Sequence, residues 1–144
     1  MKANNQMRIS FLSRSANEGF ARIAVAAFAA QLDPTVEEIS EIKTAVSEAV
    51  TNAIVHGYAD RLGTININGR LYPDGKLVLK IKDRGRGIAD IAQAMEPLFT
   101  TGNAEERSGM GFTVMEAFMD KVKVTSKTGM GPTVTLTKYI KAKD

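Results

Sequence analysis

The run Ser47-Glu48-Ala49-Val50-Thr51-Asn52-Ala53-Ile54-Val55-His56-Gly57 closes a long helical stripe and carries two oxygen-bearing side chains one turn apart. Its apolar positions Val46, Ala49, Val50, Ala53 and Ile54 continue a series begun by Val36, Ile39 and Ile42, the spacing of a helix with one buried side. Pro34 and the capping-box pair Thr35 and Glu38 mark its start, and Gly57 its expected end. Glu48 and Asn52 stand at i and i+4, so both leave one face of that helix. A carboxylate and an amide oxygen so placed suit two tasks, accepting a proton and holding a hard cation.

Toward the N-terminus, Met7, Ile9 and Phe11 alternate with polar residues at the period of a half-buried strand. A second capping-box pattern, Ser15 with Glu18, precedes Phe20, Ile23, Ala24, Ala27 and Phe28 at helical spacing, predicting a first helix that ends near Leu32. Toward the C-terminus, strands are expected over Thr64 to Tyr72 and Leu77 to Lys82, joined by the turn Pro73-Asp74-Gly75-Lys76. Glycines crowd the stretch from Asp83 to Gly111, where only a short helix near Ile91 to Met95 is expected; so long an irregular segment is usually functional or disordered. A helix from Phe112 to Met119 and strands Val122 to Lys127 and Thr133 to Tyr139, joined across Gly129-Met130-Gly131, complete the series. The order predicts a two-layer α+β sandwich, a mixed and mainly antiparallel sheet with helices on one face.

The length of 144 residues suits one domain spanning 1–144. An apolar fraction of 44% beside 24% charged residues is that of a globular chain, and no stretch reaches the ~20 apolar residues of a membrane helix. Met1 to Met7 is polar and lacks the basic and apolar blocks of a secretory signal, so a cytoplasmic location is expected. The absence of cysteine excludes disulfides, thiolate zinc sites and a cysteine nucleophile; the single histidine, His56, builds no metal cluster by itself. A net charge of +3 permits weak attraction to nucleic acid or to acidic protein surfaces, but the basic residues are scattered apart from Lys138, Lys141 and Lys143 in an expected tail. Basic residues interleaved with stacking aromatics, the mark of a single-strand binder, are missing.

Three further elements carry candidate chemistry. Asp83-Arg84-Gly85-Arg86-Gly87-Ile88 lies at the end of an expected strand, where a fixed carboxylate can accept from an amino group on a planar base and repel a carbonyl. Gly85 and Gly87 let the backbone turn sharply and approach a base. Pro97-Leu98-Phe99-Thr100-Thr101 runs through Arg107-Ser108-Gly109-Met110-Gly111-Phe112 into a helix, and amides at a helix N-terminus bind phosphate. Gly129-Met130-Gly131-Pro132-Thr133 falls in the last hairpin.

Taken in order, these elements resemble the nucleotide-binding boxes of the ATPase family of gyrase, Hsp90, histidine kinases and MutL, most closely its branch of sporulation anti-sigma factors. The resemblance spans nearly the whole chain and includes Phe20-Ala21-Arg22, Gln31 to Thr35, Glu48 to Gly57, Pro97 to Thr101 and Glu106 to Phe112. It implies a Bergerat-type ATP-binding fold, with ATP or ADP and Mg2+ as cofactors. Glu48 is then the general base, Asn52 the magnesium ligand, and Asp83, Gly85 and Gly87 the adenine site. Thr101, Ser108, Gly109, Met110, Gly111 and Phe112 form a lid over the phosphates, Arg107 stabilises the transferring group, and Thr133 bonds near the adenine. The resemblance also implies a homodimer that inhibits a sigma factor and phosphorylates a serine of an anti-anti-sigma protein, using Glu18 and Arg22 on the first helix as partner surface. No nucleic acid or membrane partner is implied. Gly102, Arg84, Arg86 and Pro132 depart from the branch pattern, which keeps open a nucleotide-binding anti-sigma module without kinase activity.

Overall fold

The computed structural model describes residues 1–57, 62–83, 110–127 and 131–141. Along the chain lie β1 (Asn5–Leu12), α1 (Ala16–Ala29) with a 3-10 turn Ala30–Leu32, and α2 (Val36–Asn52) with a π turn Ala53–Gly57. Then follow β2 (Thr64–Leu71), β3 (Lys76–Asp83), α3 (Met110–Phe118), β4 (Lys121–Lys127) and β5 (Gly131–Tyr139). The expected short helix near Ile91 to Met95 falls outside the described residues.

The five strands form one sheet in the order β1-β2-β3-β5-β4. Every described pairing is antiparallel, so the sheet is not mixed. Two features of the connections explain this. Between β1 and β2 the chain makes a hairpin of two helices, and the second undoes the displacement of the first, so β2 returns antiparallel to β1. β3 and β4 do run the same way, but β5 inserts between them and pairs with both.

Strand alternation then builds two unlike faces. Leu77, Leu79, Ile81 and Asp83 of β3 are buried, as are Ile65 and Ile67 of β2 and Val134 and Leu136 of β5. The apolar side chains among them meet Val25 of α1, Ile42, Val46 and Val50 of α2, and Met115 of α3 in one core cluster. Helix α2 is the centre of the helical layer, packed against both α1 and α3. Gly69 sits under the Phe28 ring; a Cβ there would stand 2.9 Å from Phe28 Cε2 and 3.3 Å from Leu79 Cδ2. The β2–β3 turn places Gly75 at φ +88°, where a Cβ would also lie 2.8 Å from the carbonyl oxygen of Ile140.

The two capping boxes behave differently. At Thr35 both arms form: its hydroxyl accepts from the Glu38 N–H at 3.0 Å, and Glu38 Oε1 accepts from the Thr35 N–H at 2.8 Å. At Ser15 neither forms, because Ser15 itself takes helical angles (φ −57°, ψ −31°) and its hydroxyl is not presented to the helix end. Glu18 turns instead to Arg22. Lys138, expected in a basic tail, belongs to β5 and is buried: its Nζ donates to the carbonyl of Phe118 at 2.6 Å and pairs with Glu41 at 3.3 Å, closing the C-terminus of α3.

Candidate functional site

Helix α2 delivers Glu48 and Asn52, both half-buried, in its last two turns. Immediately after Asn52 the helix widens into the π turn, a distortion frequent at functional sites. The π turn touches β3, which brings the end of α2 against the strand that terminates in Asp83. Asp83 is 3% exposed and, following Leu77, Leu79 and Ile81, faces the helical layer. A carboxylate is not buried without a partner that compensates its desolvation, and Asp83 does have polar company. A fixed acceptor of this kind, at a strand end beside a widened helical turn, has the chemistry to read an amino group on a planar base.

Glu48 lies in a field that disfavours its charge. Burial pushes its carboxyl above the usual carboxylate value, and the neighbouring negative charge of Glu18 pushes it further the same way. Glu18 in turn receives a hydrogen bond from Arg22 Nε at 3.0 Å. Arg22 and Glu18 of α1 and Glu48 of α2 therefore form one linked set of charges, although Glu18 and Arg22 were singled out only as partner surface. A carboxylate raised toward neutrality is better matched to proton transfer than an exposed one.

Of the remaining sequence candidates, Phe112 is 7% exposed at the start of α3, where it packs into the core cluster rather than standing free. The backbones of Met110 and Gly111 form the first turn of α3, the helix that packs on α2. Gly85, Gly87, Thr101, Arg107, Ser108 and Gly109 lie outside the described residues, as do the departures at Arg84, Arg86 and Gly102.

Thr133 is not brought to Asp83. It pairs with Lys82 on β3 and with Thr125 on β4, so its side chain leaves the sheet on the side away from the helices. One step beyond the last β3–β5 pair, Lys82 with Thr133, the register points Asp83 toward Pro132, which is buried and has no N–H to donate. The strand alternation contained that signal: Val134 and Leu136 are apolar and Thr133, Thr135 and Thr137 polar, which puts 132 inward and 133 outward.

The oxygen donors of Glu48 and Asn52 suit magnesium, which takes few protein ligands when nucleotide phosphates complete its shell. Among the described residues there is no cluster of three or more His, Cys, Asp or Glu that would hold a metal by protein ligands alone. The donor set thus fits a cation that arrives with nucleotide.

Known proteins resemble this chain in sequence and in fold. The histidine kinase-like ATPase domain matches residues 11–138. An anti-sigma F factor of Caldanaerobacter subterraneus subsp. tengcongensis is 57% identical over 140 residues, covering 97% of each chain. Another, from Geobacillus sp. (strain WCH70), is 57% identical over 136 residues, 94% of this chain and 93% of its own. Among solved structures, the RsbU and RsbW domains of a Mycobacterium tuberculosis protein superpose with a TM-score of 0.69 at 23% identity, over 95% of this chain and 32% of that one. A blue-light activated histidine kinase of Erythrobacter litoralis superposes at 0.57, over 81% of this chain and 40% of its own, and both structures speak to the fold. With a five-stranded antiparallel sheet under a helical layer and relatives that match it end to end, the chain belongs to the histidine kinase-like ATPase domain family, alongside the anti-sigma F factors.

Proposed function

We propose that this chain is a protein-serine kinase and anti-sigma factor: it restrains a sporulation sigma factor and phosphorylates a serine of that factor's anti-anti-sigma antagonist, using ATP and Mg2+. The observation that carries the reading is the buried, helix-facing Asp83 at the edge where the π turn following Glu48 and Asn52 meets β3. The nucleotide supplies the phosphoryl group and the cation offsets its charge. Asp83 accepts from the adenine amino group, and Asn52 offers its amide oxygen to the cation. Glu48 takes the proton of the attacking serine hydroxyl. Gly85 and Gly87 bring backbone close to the base, and Thr101, Ser108, Gly109 and the α3 amides at Met110 and Gly111 cover the phosphates, with Arg107 steadying the charge that develops.

Helix α1 supports the partner role. Beside the paired Glu18 and Arg22 it exposes Phe20 by 51% and Ile23 by 62%, and Leu12 at the end of β1 is 47% exposed. Apolar area ringed by charge is the composition of an interface. The sigma factor, the antagonist and a second copy in a homodimer are the partners this surface serves in our reading.

The departure at Pro132 leaves a narrower function to be tested beside this one, nucleotide-dependent binding without transfer. With Pro132 inward and Thr133 outward, the pocket side of β5 presents no hydroxyl beside Asp83. Two measurements separate the readings. In calorimetry the chain prefers ATP to GTP and Asp83→Asn loses that preference; equal affinity for both nucleotides in the native chain removes the adenine site. With radiolabelled ATP and an anti-anti-sigma protein, label reaches a serine; label that never leaves the nucleotide, while ATP binding persists, leaves the binding module standing.

A further inference from the structure

The sheet face turned away from the helices carries a set of cations that the kinase reading does not use. Register places Arg8, Asn68, Lys80, Thr135 and Lys123 in one row across all five strands, and Ser10, Asn66, Lys82, Thr133 and Thr125 in the next. These two rows line a concavity of about 600 Å³. Arg8, Lys80, Lys82 and Lys123 are exposed, and none has an ion-pair partner among the described residues. The strands hold a single carboxylate, Asp83, and it faces the other way. Helix α2, on that other side, carries Glu37, Glu38, Glu41 and Glu48 against Lys43, so a modest net charge of +3 hides a molecule with two oppositely charged faces.

We infer that this concavity is a docking groove for an extended acidic segment of a partner protein. Three observations choose that occupant. The four unpaired cations with no opposing carboxylate call for an anionic ligand. Next, Asn68 Oδ1, on the second strand of the row between Arg8 and Lys80, lies buried without a hydrogen-bond partner. A buried acceptor needs a donor, and a polypeptide brings backbone N–H groups along with its carboxylates, whereas a phosphodiester backbone brings acceptors only. Finally, the lining contains no aromatic side chain on which a base could stack, which disfavours single-stranded nucleic acid. Strands about 4.8 Å apart make the groove about 19 Å long, room for about six extended residues at ~3.3 Å each.

The test titrates a fluorescein-labelled hexapeptide of Asp and Glu, flanked by Gly-Ser, into the full chain, with an oligothymidylate and inorganic polyphosphate as parallel ligands. The peptide binds, weakens about tenfold or more as salt rises through the physiological range, and is the tightest of the three. Lys80→Glu, Lys82→Glu and Lys123→Glu combined reduce its affinity about tenfold or more, and Asn68→Leu weakens the peptide while leaving polyphosphate unchanged. ATP affinity does not move in any of these variants, which separates this inference from the kinase reading. Because the three lysines are exposed the variant is expected to fold; should it not, Lys80→Gln with Lys123→Gln carries the same comparison. The inference is overturned by absence of peptide binding at low salt, by a charge-reversed groove that binds as before, or by oligothymidylate or polyphosphate binding as tightly as the peptide.

Discussion

Glu18 links a surface to a reaction. Its carboxylate holds Arg22 and its charge helps raise Glu48, so a change at the outer side of α1 reaches the proposed base without moving it. Glu18→Gln removes the second of the two causes and lowers the Glu48 carboxyl toward its ordinary value. If Glu48 acts as base, the acid limb of the rate against pH then shifts to lower pH, with the plateau rate little changed; a limb that stays in place would detach Glu18 from Glu48. Glu48→Gln itself lowers phosphoryl transfer by about 10²- to 10⁴-fold, the usual worth of a positioned base. It also makes the fold more stable at neutral pH. A carboxyl raised in the native state is harder to ionise folded than unfolded, so the gain is present at pH 7 and disappears as pH falls below the ordinary value of 4.5. Thermal melts of both proteins at neutral and acid pH check the sign. The pair Glu48 and Asn52 was legible in the sequence because helical spacing fixes which side chains share a face. The coupling to Glu18 was not, since it depends on how α1 and α2 lie against each other, which no local pattern encodes.

Among the elements, α2 is the best specified, and its start shows why. The Thr35 box closes on both sides, and Glu38 Oε2 also accepts from the Lys141 N–H at 3.2 Å, tying the helix start to the chain just beyond β5. Burial pushes the Glu38 carboxyl up, but the Thr35 and Lys141 amides, the Thr35 hydroxyl and the charge of Lys138 together outweigh it and hold it below 4.5. Its contribution to stability is therefore complete above that value and is lost as pH falls through the lowered folded one, the reverse of Glu48. Thr35→Ala costs about 1 kcal/mol in denaturant unfolding, and Ser15→Ala much less, because only the first hydroxyl caps a helix. Gly69→Ala costs about 1–3 kcal/mol, since the new methyl must displace the Phe28 ring; a neutral result would mean that ring repacks freely. The strands and helices were readable from their periods. The Ser15 box shows the limit of motif reading, for the same residue types produce a cap only where the backbone turns out of the helix before them. The pairing of β5 between β3 and β4 was equally unreadable, because alternation states which way a side chain points and not which strand lies beside it.

At the scale of the whole molecule, one sheet separates an acidic helical side, where the nucleotide chemistry is proposed, from a basic open side. Bound ATP stabilises the native state by mass action, about 2.7 kcal/mol at a hundred times its dissociation constant, and GTP at the same concentration does less. A thermal midpoint that rises equally with both would argue against the adenine contact. The sheet also has a line of weakness by construction. β2–β3 and β4–β5 are each hairpins of nearby residues, and within the sheet they are zipped together only along β3 and β5, whose last pair, Lys82 with Thr133, lies next to Asp83. A base gripped there works as a clasp on that zip: the two halves cannot part while it is held, and it cannot be held once they part. Amide hydrogens along 76–82 and 133–139 should exchange more slowly with ATP present, by a larger factor than those of β1 at the far edge.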